Sequence, residues 1–168
     1  GGDVGKGRGR SRLVARGLVE GGVSNVTGTV GSWHDHNRNS DRMKSKGHAY
    51  DKGLAALISD LYERGLNQEV LVVAMGEFGR TPRMNKTAGR DHWSDVFSIV
   101  MAGGGLKSGQ VIGTSNSRGE VPHDRPVHYN DVLATMYQQL GVPTDRVYYD
   151  EGRPVPVLYS GKPIDELL

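Results

Sequence analysis

Three stretches of the chain repeat apolar side chains at helical spacing. Between Ser11 and Gly21, residues Leu13, Val14, Leu18 and Val19 fall on one face of a helical wheel, and Gly21-Gly22 supplies a stop. From Tyr50 to Gly65 the positions Leu54, Leu57, Ile58 and Leu61 stand at i, i+3, i+4 and i+7, closed by Gly65. From Asn130 to Leu140 the set is Val132, Leu133, Met136, Tyr137 and Leu140, with Asn130 as an N-cap and Gly141 and Pro143 beyond the end. The spacing predicts helices near residues 11–20, 48–64 and 130–140.

Other apolar runs have strand length. VSNVTGTV is β-branched and predicts a strand near residues 23–30 that ends at Trp33. EVLVVAM, directly after a helix, is unbroken, the pattern of a strand buried on both faces of a parallel sheet, near 69–75. VFSIVMAGGG predicts a third strand near 96–102, and QVIGTS either pairs with it as a hairpin or neighbours it at an edge. PVPVLYSGKP reads as a final extended segment. Helix followed by buried strand is α/β logic, and no internal repeat is visible.

At 168 residues the chain has room for one domain or part of one. A hydrophobic share of 36% with 24% charged residues is enough for a core, which excludes wholesale disorder. The 25 glycines follow no collagen period and point to many turns. No apolar run reaches the ~20 residues of a membrane-spanning helix, and no signal segment or initiator Met is present, so the chain reads as an internal or C-terminal piece of a longer protein. With no Cys, a metal here would be held by His and carboxylates. The net charge is +2, yet nine of the 21 Lys and Arg lie in residues 1–46 against four of the 19 acids. Residues 1–10 read as a flexible, basic, Gly-rich tail. No aromatic residues interleave there to stack bases, and no Ser or Thr follows Gly5-Lys6-Gly7 to complete a phosphate loop, which argues against nucleic acid as a partner.

Candidate chemistry collects in loops that follow predicted strands, where α/β proteins place ligands. In Ser32-Trp33-His34-Asp35-His36-Asn37 a carboxylate sits between two imidazoles, which suits a zinc, manganese or iron site or, equally, a polar turn over Trp33. In Gly76-Glu77-Phe78-Gly79-Arg80-Thr81-Pro82, Glu77 is placed as a ligand or general base and Arg80 offers a fork for phosphate or sulfate oxygens; a Glu77 to Arg80 ion pair is the alternative. Gly89-Arg90-Asp91-His92-Trp93 brings an Asp-His pair in a Gly-preceded loop. His34, Arg90 and His128 are weaker candidates, as are His48 and His123.

The strings EVLVVAMGEFGRTPRMN, AGRDHWSDVFSIVMAGGGLKSGQVIGTS and PVHYNDVLATMYQQLGV closely resemble the DUF1501 family, a group related to the alkaline phosphatase and sulfatase superfamily. The resemblance runs from about Arg10 to the C-terminus. It implies an α/β fold, a three-layer α/β/α sandwich with a mostly parallel sheet, of which residues 11–168 would be the C-terminal part. It also implies a divalent metal, zinc among the candidates, held by Asp35, His36, Glu77, Asp91 and His92. Arg80 and Glu77 would serve catalysis on a small anionic phosphate or sulfate ester. A catalytically degenerate, anion-binding relative is the alternative. Members of the family often look exported, which suggests an exported or periplasmic location.

Two departures bear on the chemistry. Phe78 stands where the superfamily's acid-His dyad has its His, and Trp33-His34-Asp35-His36 replaces the family's usual Trp-Asp-Thr-His. The superfamily's first metal-binding Asp and its nucleophile lie in an N-terminal half that this chain lacks. What the resemblance leaves is a site in part, with Asp35, His36, Glu77, Asp91 and His92 expected at one end of the sheet.

Overall fold

Helix stops follow the glycines. The computed structural model describes residues 13–31 and 33–168, so the expected basic tail at 1–10 lies outside the described residues. Residues 13–20 are helical (α1). The long helix α2 spans Asn39–Glu63 and α3 spans Tyr129–Gln139. Gly65, at φ 72°, takes the left-handed conformation that lets its N–H reach Tyr62 O at 3.0 Å, while Leu66 N donates to Leu61 O at 2.9 Å. The same pair of bonds closes α3, from Gly141 to Gln138 and from Val142 to Tyr137. Asp60 of α2 accepts Arg16 Nη1 of α1 at 2.9 Å and Arg64 Nε at 3.0 Å, tying the first two helices.

Helix α2 begins about nine residues earlier than its apolar pattern predicts. Its first turns are polar, so amphipathicity is silent there. The start is set by tertiary contact instead. Arg38 adopts a left-handed conformation, φ 44°, and the N–H groups of Arg38 and Asn39 donate to Thr87 O and Ala88 O, satisfying two donors that a helix N-terminus leaves open. For α3 the cap is His128 rather than Asn130. Its Nδ1 accepts Asn130 N at 3.2 Å, and Asp131 Oδ2 accepts His128 N at 2.9 Å.

The sheet expectation is corrected by the strand pairing. Strands β1 (Leu71–Ala74) and β4 (Val100–Gly103) pair antiparallel, Leu71 opposite Gly103 and Ala74 opposite Val100. Between them lies a second antiparallel pair, β2 (Gly79–Arg80) with β3 (His92–Trp93). Thr114–Ser115 (β5) pairs with Pro122–Asp124 (β6), and Val147–Asp150 (β7) with Arg153–Pro156 (β8). The described residues thus hold three α-helices and four two-stranded antiparallel sheets, and not a mostly parallel three-layer α/β/α sandwich. A parallel neighbour needs a crossover, usually a helix; residues 75–99 contain none, so the chain returns beside β1 in the opposite sense. Residues 71–74 are half-buried rather than covered on both faces. No strand forms at 23–30, where most side chains are exposed and no described segment pairs with it.

Burial is concentrated in two places. Helix α2 packs against β4, with Leu61 and, just past the strand, Leu106 buried. Around α3, Val132, Ala134 and Thr135 are buried with Ile164 of the C-terminal segment, each apolar side chain of Val or Ile size contributing roughly 1.5–3 kcal/mol. Thr135 Oγ1 donates to Asp131 O at 2.7 Å and accepts Ile164 N at 2.9 Å, so the buried hydroxyl and the buried amide satisfy each other. Arg125 Nε and Nη2 donate to the Glu166 carboxylate at 2.5 and 2.8 Å, and Asp165–Leu167 ends the chain as a 3-10 turn. The β7–β8 hairpin projects with Tyr148 and Tyr149 exposed, and Val157 N donates to Arg146 O at its base. Among the described residues no helix is long and apolar enough to cross a membrane.

Candidate metal centre

Two segments far apart in sequence meet at three imidazoles. One is the turn 33–37 that leads into α2. The other is the β2–β3 hairpin, in which Arg80 stands opposite His92. A dense set of bonds holds them together. Asn85 Nδ2 and Thr87 Oγ1 donate to His36 O at 3.0 and 2.9 Å, and Arg80 Nη2 donates to Trp33 O at 3.3 Å. Gly89 is buried with its Cα against the His36 carbonyl, and a Cβ there would overlap that carbonyl and the backbone N of Asn37. Only glycine permits this approach. Within the hairpin, Asp91 N donates to Thr81 Oγ1, and Arg90 Nη1 donates to Thr81 O and Pro82 O, both at 2.6 Å. Arg90 therefore braces the loop from within.

The result is a cluster of His34, His36 and His92 whose ligand atoms all lie within 4.8 Å of one another, a group that could hold a metal ion. His34 Nε2 and His36 Nε2 are 3.0 Å apart. Nitrogens bound at 2.0–2.1 Å to a tetrahedral zinc lie about 3.3 Å from each other, so this separation is close to what coordination demands. His36 Nδ1 faces Asp91 Oδ1 at 2.9 Å, and Asn85 Nδ2 donates to the same oxygen at 3.1 Å. A carboxylate behind a ligating imidazole is the common outer partner of metal-bound His. Hydrogen bonds from His36 and Asn85 lower the Asp91 pKa, keeping it an acceptor. The His92 pKa is also lowered, by loss of water first and then by the charge of Arg80 and the two neighbouring imidazoles, with Asp91 opposing. Its ring packs against Phe78, centroids 4.3 Å apart. A neutral imidazole is the form that binds metal.

The remaining sequence candidates divide. Arg80 lies beside the cluster, its Cζ 5.8 Å from the Phe78 ring, and its Nη1 is buried with no hydrogen-bond partner among the described residues. Glu77 is exposed, one residue from Phe78, and outside the three-imidazole group. Asp35 turns the other way: it is 5% exposed and accepts Arg42 Nη1 at 2.7 Å and Lys46 Nζ at 2.6 Å. The Lys46 hydrogen bond foremost, against the cost of burial, lowers its pKa. His128 is the cap of α3. His34, read from sequence as secondary, is a full member of the cluster; its spacing two residues before His36 was the available signal.

The profile of the family described as "Protein of unknown function (DUF1501)" matches residues 2–168. The chain belongs to the DUF1501 family. No curated protein matches this DUF1501 chain, and no solved structure does.

Proposed function

We propose that His34, His36 and His92 hold a divalent metal, zinc by preference, in a site that acts on phosphate or sulfate esters. The observation that carries this reading is the three-imidazole cluster with Asp91 hydrogen-bonded behind His36. Three neutral nitrogens without a thiolate suit zinc, and three protein ligands leave a coordination position open for water or substrate. Such a metal, when bound, supplies Lewis acidity toward an ester oxygen.

The chain's own residues define the rest. Asp91 fixes the His36 ring with Nδ1 toward the carboxylate and Nε2 toward the cluster. Arg80, with a guanidinium nitrogen lacking a partner, is suited to grip an oxygen of the anionic group. Phe78 shields one side of His92 from water. Glu77, exposed and next to Phe78 in sequence, would be the carboxylate that accepts a proton. The same ester chemistry is what the resemblance to the alkaline phosphatase and sulfatase superfamily implies.

The test is metal uptake followed by turnover. Equilibrium dialysis against zinc is expected to give one bound ion per chain, lost in His92→Ala, and nitrophenyl phosphate and sulfate are then assayed with and without the ion. Uptake unaffected by His92→Ala would sink the assignment. Uptake without hydrolysis of either ester would leave an anion-binding relative without turnover.

A further inference from the structure

Asp35 separates the two histidines of the turn, yet its side chain leaves their side. The His34 and His36 rings meet at 4.7 Å between centroids, whereas the Asp35 carboxylate is buried against α2. Both of its oxygens are engaged, one by Arg42 and one by Lys46, which sit one helical turn apart on the same face of α2. Asp35 N also donates to Trp33 O at 2.9 Å, which tightens the backbone around His34. On the opposite side, His36 O is held by Asn85 and Thr87. The turn is thus gripped at alternate points, by α2 through a side chain and by the hairpin through a carbonyl.

We propose that Asp35 is a positioning residue which, clamped by Arg42 and Lys46, sets the separation of the His34 and His36 imidazoles for the metal. This rests on the metal reading above for its purpose but not for its geometry. A carboxylate with both oxygens committed to α2 cannot also ligate at the cluster without breaking a buried ion pair. Its worth to the site is orientation: two imidazoles on an irregular turn have many relative placements, and an anchor between them removes most. Arg42 and Lys46 share the role, although neither can ligate a metal.

The experiment compares wild type with Asp35→Asn, Arg42→Gln and Lys46→Gln in two measurements. Cobalt(II) titration, read by its visible bands, is expected to show affinity about 10–100-fold weaker in each variant, the range for outer partners of metal ligands, with the saturated spectrum unchanged. In metal-free protein, ring-to-ring NOEs between His34 and His36 are expected in wild type and lost in Asp35→Asn. Unchanged cobalt affinity, or NOEs retained, overturns the proposal. A saturated spectrum altered in Asp35→Asn alone also overturns it, because Asp35 would then be a ligand. If wild type takes up no cobalt the metal reading fails, and the NOE comparison decides the positioning role by itself. Should Asp35→Asn lose its fold, Arg42→Gln, which leaves the Lys46 bond, decides both measurements.

Discussion

Asp91 Oδ1 lies 2.9 Å from Nδ1 of His36, a contact across 55 residues of sequence. It joins the turn before α2 to the β2–β3 hairpin at the point where the imidazoles meet. The contact also selects a tautomer: with the proton on Nδ1, the Nε2 lone pair faces His34. Replacing Asp91 by Asn keeps the shape and removes the charge. Zinc affinity measured by competition with a chelating dye is expected to fall about 10–100-fold, with the stoichiometry kept.

Gly89 sets how closely the two segments approach. In Gly89→Ala the new methyl group would overlap the His36 carbonyl, forcing the hairpin away from the turn. Urea unfolding should show a loss of roughly 1–3 kcal/mol, the usual cost of forcing extra volume into a packed site. Metal affinity should fall with it. A Gly89→Ala protein as stable as wild type would show that close approach at Gly89 does not hold the hairpin to the turn.

The lowered pKa of His92 makes the metal-free protein sensitive to mild acid. Its folded pKa lies below the ~6.5 of an unfolded histidine, so the unfolded state binds the proton more readily. Stability is therefore full above about pH 6.5 and declines as pH falls from there through the folded value. Denaturant titrations at about pH 8 and about pH 5 should show a smaller loss in His92→Gln than in wild type.

A second acid response lies at the C-terminus. The Arg125 guanidinium, bonded to both carboxylate oxygens, lowers the Glu166 pKa from 4.5 to about 2. A depressed carboxylate pKa stabilises the fold fully above its unfolded value, and that contribution is lost as pH falls through about 2. The melting temperature of wild type should approach that of Glu166→Gln as pH drops across this window. Parallel curves would show that the pair contributes nothing measurable, the common result for exposed ion pairs.

Local signals in the sequence carried further than long-range ones. Gly65 and Gly141 mark helix ends because only the residue's own backbone is at issue. The apolar run EVLVVAM marks a strand equally well, but strand direction depends on what lies between it and its neighbour, and apolarity does not encode that. The segment 23–30 has β-branched residues and no strand, since propensity without a partner leaves backbone groups to solvent. At the site, the Gly-preceded Asp91-His92 and the His34-to-His36 spacing were legible. The direction of Asp35 was not, because it is decided by Arg42 and Lys46 on a helix whose first turns have no apolar pattern.

The β7–β8 hairpin has an aggregation problem and an answer to it on one of its two edges. An exposed two-stranded ribbon bearing Tyr148 and Tyr149 offers a template on which a second molecule could add a strand. In β8, however, Val157 N points inward to Arg146 O, and the alternation of the ladder turns the positions of Pro154 and Pro156 outward. Proline has no N–H, so the outer rim presents carbonyls with no donors between them, and an incoming strand finds half its hydrogen bonds missing. Strand addition is thereby disfavoured at the β8 edge, whereas the β7 edge, where Val147 and Tyr149 turn their backbone groups outward, keeps its donors.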